Sequence, residues 1–230
     1  MKYKHIFFDL DLTLWDFDKN STEALYELYN ELDLKNKGVS DFDTFISGYK
    51  IHNELMWEGY RKGTVTKEEL RTDRFHKALL DFGINNRNLA IEIGDGYLNK
   101  SPFKTHLFAH AVETLEYLSE NYKLHIITNG FKEVQFLKLE NCGIRRFFQQ
   151  VITSECAGFR KPDKRIFHYS LYRAKAKTKQ SIMIGDHLDI DILGAKNACI
   201  DQIYFNPKQN PHKEIITYEI DCLKRLKDIF

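Results

Sequence analysis

The chain has 230 residues and a mass of 27.2 kDa, which at roughly 150 residues per domain suits one large domain or a core with a modest second unit. Its 43% apolar and 29% charged residues exclude a disordered polymer, and no run approaches the roughly 18 apolar residues of a membrane span. Lys and Arg total 34 against 33 for Asp and Glu, a net charge of +1, so neither nucleic acid nor a membrane is expected as the main partner.

Met1-Lys2-Tyr3-Lys4 runs straight into His5-Ile6-Phe7-Phe8-Asp9-Leu10, a short apolar run ending in an acid. It reads as a buried strand whose carboxyl end opens toward solvent. A secretory leader would need a longer apolar stretch and a small-residue cleavage site, so none is expected. Cys142, Cys156, Cys199 and Cys222 form no CxxC pair and read as reduced thiols of a cytoplasmic protein.

From Asn20 to about Asn99 the texture is helical throughout. Ala24, Leu25, Leu28, Tyr29 and Leu32 make one apolar stripe. Thr66-Lys67-Glu68-Glu69 has the form of a capping box, with Leu70, Phe75, Leu79 and Phe82 on one face behind it and Gly83 as the stop. After Ser101-Pro102 strands and helices alternate. Strands are expected at 124–128, 151–153, 181–185 and 200–205. Helices are expected around Leu115, before Asn141-Cys142-Gly143, over 163–174 and up to Ala195, with a last one over 220–229. Such alternation implies parallel βαβ units. The expected architecture is α/β, a Rossmann-like doubly wound parallel sheet, with residues 1–17 and 101–230 as the core and 18–100 as an all-helical domain inserted after the first strand.

Ligands of open α/β sheets sit beyond the carboxyl ends of the strands. The polar residues there are Asp9, Asp11 and Thr13, then Thr128 and Asn129, then Asp186, Asp189 and Asp191, with Lys161-Pro162-Asp163 opening a helix between the last two groups. Two like charges about 4 Å apart repel by roughly 4 kcal/mol at an effective dielectric near 20. If Asp9, Asp11, Asp186 and Asp191 converge, one lysine cannot neutralise four carboxylates, so either some are protonated or a cation lies among them. An all-oxygen site of this kind suits Mg²⁺, and with Mg²⁺ and lysine in place it attracts a phosphate dianion. A carboxylate can then act as nucleophile toward phosphorus, and a second one two residues on can protonate the leaving alkoxide. The plainer readings stay open. Asp9 and Asp11 could be a strand-terminating turn, Thr128 and Asn129 a helix cap, and Lys161 a surface lysine.

Asp9-Leu10-Asp11-Leu12-Thr13, Ile127-Thr128-Asn129, Lys161-Pro162-Asp163 and Gly185-Asp186 with Asp191 resemble, in order, the four motifs of the haloacid dehalogenase superfamily. The resemblance covers essentially the whole chain. It implies Asp9 as nucleophile and Asp11 as general acid/base, with Thr128, Asn129 and Lys161 around the transferring phosphoryl group. It further implies Mg²⁺ held by Asp9, Asp186 and the backbone carbonyl of Asp11, with Asp191 in support. Leu12 stands where the superfamily commonly has Gly. A carboxylate at position 11 favours phosphate ester hydrolysis over halide displacement, and the helical insertion looks like a cap that closes over substrate and sets specificity.

The runs 8–17 and 127–131 look most like bacterial pyrimidine 5′-nucleotidases, so a small-molecule phosphate ester, a pyrimidine nucleoside 5′-monophosphate, is the expected substrate. A sugar-phosphate or phosphoglycolate phosphatase is the alternative, a phosphomutase a further one, and a phosphate-binding signalling module the non-enzymatic one. Trp15, and with less weight Phe17, Trp57 and Tyr60, are candidate contacts for a base or sugar, although aromatic residues here would more commonly be packing.

Overall fold

A computed structural model describes residues 2–230; residue 1, where the first core segment was expected to begin, lies outside the described residues. The chain forms two compact units, Met1–Phe17 with Thr105–Phe230, and Asp18–Lys104.

The first unit is built on β1 (His5–Phe8), β2 (Lys123–Thr128), β3 (Phe148–Thr153), β4 (Ser181–Gly185), β5 (Asp201–Phe205) and β6 (Tyr218–Ile220). They pair in the order β3-β2-β1-β4-β5-β6, every pair parallel. Alternate residues of the buried strands feed two separate cores. On one face Ile6 and Phe8 pack with Leu115, Leu118 and Leu139; on the other Phe7 and Met183 pack with Ile166, Phe167 and Ala195. The chain order reverses at β1, which lies between β2 and β4, so the crevice at the carboxyl ends of β1 and β4 is the natural ligand position.

The second unit holds α1 (Phe17–Glu31) from Asp18 onward, α2 (Phe42–Lys62), α3 (Lys67–Leu80) and α4 (Arg87–Lys100). The expected capping box is present at the start of α3, where Thr66 Oγ1 accepts from the Glu69 N–H and the Glu69 carboxylate accepts from the Thr66 N–H. Its core joins Leu25, Leu28, Phe45, Tyr49, Phe75, Leu79 and Ile93. In the first unit follow α5 (Ala111–Ser119), α6 (Lys132–Asn141), α7 (Ser154–Ala157), α8 (Lys164–Ala174), α9 (Leu193–Asn197) and α10 (Leu226–Ile229).

The expected helix over 220–229 is corrected. Ile220 ends β6, whose Tyr218 and Ile220 pair with Ile203 and Phe205, and the helix is reduced to a 3₁₀ turn, Leu223–Arg225, and α10. An edge strand of three residues is too short to show an alternating pattern. β3 also starts at Phe148, earlier than the expected Val151. All four cysteines are free thiols, and among the described residues no helix is long and apolar enough to cross a membrane.

Candidate active site

Asp9 follows directly on β1, and its N–H donates to the Ile184 carbonyl of β4 at 2.9 Å. Its carboxylate is therefore delivered to the switch point by two central strands. Lys161 Nζ lies 2.6 Å from Asp9 Oδ1 and 2.6 Å from Asp191 Oδ1, and all three residues are buried. Asp186 follows β4, and its Oδ1 accepts from Thr13 Oγ1 at 2.9 Å. Asp191 Oδ2 accepts from the His187 N–H. Gly185 makes room for this arrangement, because a Cβ there would stand 2.5 Å from the Asp191 carboxylate. Asp189, by contrast, is exposed.

Carboxylate oxygens of Asp9, Asp186 and Asp191 all lie within 4.8 Å of one another. Burial pushes the Asp9 carboxyl up to about 7, aided by the charges of Asp191 and Asp11 and opposed by Lys161. Burial likewise raises Asp186 well above the usual carboxylate range, with Asp191 and Asp9 adding to it. Burial alone would lower Lys161, but its two carboxylate partners overcome that and hold the ammonium charged. Two buried carboxylates and the half-buried Asp186 thus face the Lys161 ammonium. Hard oxygen donors with a deficit of positive charge fit a divalent cation of the Mg²⁺ type. Both Asp191 oxygens are already engaged, so Asp9 and Asp186 are the freer donors and Asp191 anchors Lys161.

Asp11 stands apart from this cluster, although its charge is felt at Asp9. Its Oδ1 meets Lys138 Nζ at 2.5 Å and its Oδ2 accepts from Gln135 Nε2 at 3.0 Å. Thr128, at the end of β2, donates its hydroxyl to Gln135 Oε1 at 3.1 Å and accepts from the Gly130 N–H at 3.0 Å. The Asn129 side chain is spent on Lys161: Nδ2 donates to its carbonyl at 2.9 Å and Oδ1 accepts from its N–H at 2.8 Å. Asn129 therefore fixes the loop that carries the lysine. Leu12 takes a left-handed conformation with φ 62°, which explains why Gly is the common residue at this turn.

Trp15, the expected contact for a base or sugar, lies in the interior in this structure. Its indole is fully buried, its backbone bridges Asp11 and Leu107, and its ring carries Lys138 Nζ 3.6 Å from the centroid. The turn after β1 folds it back into the core, which the sequence position alone does not reveal.

Residues 6–205 match the model of the haloacid dehalogenase-like hydrolases. The chain belongs to this family. It is an enzyme, a hydrolase built on the family's parallel sheet. The HAD-hydrolase YfnB of Bacillus subtilis, solved with magnesium bound, superimposes with a TM-score of 0.90 at 28% identity over 100% of this chain and 99% of that one. The pyrimidine 5′-nucleotidase PynA of Streptococcus pneumoniae is 32% identical over 98% of this chain and 97% of its own length. A glyceraldehyde 3-phosphate phosphatase of Methanothermobacter thermautotrophicus is also 32% identical, over 98% and 99%.

Sequence reasoning missed two residues that contact the candidate site, Gln135 and Lys138. The signal was present in α6, whose buried residues are Val134, Gln135, Lys138 and Leu139. A glutamine and a lysine three apart on the apolar stripe of a helix need a buried polar partner, and Asp11 is that partner. Burial pulls Lys138 below the ordinary lysine value, against the opposing pull of Asp11.

Proposed function

We propose that this hydrolase is a phosphomonoesterase acting through an aspartyl-phosphate on Asp9, with a pyrimidine nucleoside 5′-monophosphate as its substrate. The observation that carries the reading is the division of labour between two carboxylates two residues apart. Asp9 is buried against Lys161 beside Asp186 and Asp191, while Asp11 has its own donors and is 28% exposed.

Lys161 and Thr128 orient the phosphoryl group, and an Asp9 oxygen attacks phosphorus. The bond from phosphorus to the ester oxygen breaks as the one to Asp9 forms, and Asp11 gives its proton to the departing alkoxide. Asp11 then takes a proton from the water that attacks the aspartyl-phosphate, which releases inorganic phosphate and restores Asp9. Asp9, Asp186 and the backbone carbonyl of Asp11 would hold Mg²⁺, and Asp191 keeps Lys161 in place. When bound, Mg²⁺ neutralises charge on the phosphoryl oxygens. The helical unit, Asp18–Lys104, is proposed as the cap that selects the leaving group.

The likeness to PynA supports a nucleotide substrate, and the equal identity to a glyceraldehyde 3-phosphate phosphatase favours a second reading, a small sugar phosphate. A phosphate-release screen across nucleotides, sugar phosphates and phosphoglycolate separates them. Uridine and thymidine monophosphates are expected to rank first; if they do not, the nucleotide assignment fails and the phosphatase assignment stands. Asp9→Asn is expected to abolish release from every ester, and a folded variant keeping a tenth of the activity would remove Asp9 from the nucleophile's role.

A further inference from the structure

We infer that Gln135 and Lys138 are the positioning residues of Asp11, a two-pronged clamp on α6 that fixes the plane of the acid/base carboxyl toward the leaving oxygen. The inference rests on the reading of Asp11 as the group that protonates the leaving alkoxide.

Each oxygen of Asp11 has its own donor: Lys138 Nζ at 2.5 Å on Oδ1 and Gln135 Nε2 at 3.0 Å on Oδ2. A carboxylate has about four lone-pair sites, so two donors fix its plane and still leave a site on each oxygen for a proton or a leaving group. Gln135 and Lys138 lie three apart on one helix, so a single rigid element sets both prongs.

Both prongs are themselves braced. The Lys138 ammonium rests over the Trp15 ring, 3.6 Å from its centroid, and Trp15 bridges back to Asp11. The Gln135 amide is oriented by Thr128, whose hydroxyl donates to Oε1 and so leaves Nε2 to face Asp11. Gly130 completes the brace, because a Cβ at that position would collide with the Gln135 amide.

Stability does not account for the clamp. Lys138 is 4% exposed and Gln135 1%, and a buried ammonium loses more on leaving water than one partner restores, so an apolar side chain would serve a purely structural helix as well. Asp11 needs no such clamp to remain in solution. What both prongs share is the carboxyl whose direction decides whether a proton reaches the leaving oxygen, and small misplacements at such a group are costly in rate.

The test uses the full-length enzyme with Mg²⁺ and two classes of ester, an alkyl phosphate and p-nitrophenyl phosphate, so that the natural substrate need not be known. Gln135→Glu keeps the oxygen that Thr128 uses and turns the donor facing Asp11 into an acceptor. Lys138→Met keeps the length of the chain under Trp15 and removes the donor, and Gly130→Ala displaces the Gln135 amide without changing any charge.

Each variant is expected to lose roughly 10²-fold in kcat on the alkyl ester, with less than about 5-fold loss on the aryl ester and little change in KM. In an Asp11→Asn background the same substitutions are expected to cost no more than about 2-fold further, because they act through the group already removed. Equal losses on both esters, or full additivity with Asp11→Asn, would overturn the inference. Asp11→Asn alone separates the two layers. If it spares the aryl ester and the clamp variants do not, only the clamp fails. If Asp11→Asn hits both esters equally, the acid/base reading fails and the clamp with it. Should Lys138→Met not fold, Gln135→Glu and Gly130→Ala carry the same comparison.

Discussion

His125 lies on β2 with no exposed surface, stacked on Phe7 at 4.8 Å and on His5 at 5.3 Å between ring centroids. Burial, with lesser contributions from His5 and Lys123, pushes its imidazole down to about 3, and burial lowers His5 as well, with Lys123 and Lys4 adding to it. An unfolded histidine takes up its proton near pH 6.5. Between pH 6.5 and about 3 the unfolded chain therefore binds a proton at His125 that the native protein does not, and stability falls as pH falls. The His125 contribution is complete at pH 7 and amounts to a loss of about 2 kcal/mol by pH 5. Urea unfolding at the two pH values checks this: His125→Phe, which keeps the stack and loses the titration, is expected to remove about that much of the acid sensitivity. An unchanged drop in the variant would show that the sensitivity lies elsewhere. Nothing in the run His5-Ile6-Phe7-Phe8 announces this pair, because it joins strands some 120 residues apart in the chain. Asp9 and Asp186 were legible for the opposite reason, since each directly follows a strand, and Lys161 and Asp191 because each lies in a segment leading from a strand end into a helix at the same rim of the sheet.

β4 ends in Gly185, paired with Tyr204 of β5, and the turn that follows brings Asp191 back against it. Alanine at 185 would put a methyl group 2.5 Å from the Asp191 carboxylate, and Asp191 can yield only by giving up Lys161 or the His187 N–H. Gly185→Ala is accordingly expected to lower phosphatase activity by roughly 10²-fold, because Lys161 loses one of its two anchors. The core unit should still fold, with a melting temperature within about 5 °C of the wild type. Activity near that of the wild type would show that Asp191 does not hold the lysine. The long elements were readable because apolar periodicity accumulates over several turns, as in α2 and α3, whereas β6 offered only three residues and one buried position. Gln135 and Lys138 escaped notice because α6 looks like an ordinary helix until its polar residues are placed on the buried face. The burial of Trp15 was not legible, because closeness in sequence to Asp9 says nothing about which way the intervening turn faces.

At the scale of the whole molecule a net charge of +1 hides a strongly uneven interior. Asp9, Asp186 and Asp191 converge on one directly paired ammonium, that of Lys161, so the metal-free enzyme carries repulsion that folding has to overcome. A divalent cation that binds only the folded site should stabilise the protein by mass action, by about 2.7 kcal/mol at 100 times its dissociation constant. For a protein of this size that is a rise of about 5–10 °C in melting temperature. Asp186→Asn, which removes one donor and keeps the Thr13 contact sterically, is expected to lose most of the rise. Asp9→Asn removes one of the repelling charges and is expected to melt higher than the wild type in EDTA while gaining little from Mg²⁺. The two variants thus separate a cation site from an ordinary acidic cluster. In a cluster that binds no cation, Mg²⁺ would leave wild-type melting unchanged, and activity would persist in excess EDTA. The calorimetric scan reads binding apart from turnover, so it remains decisive whichever ester proves to be the substrate.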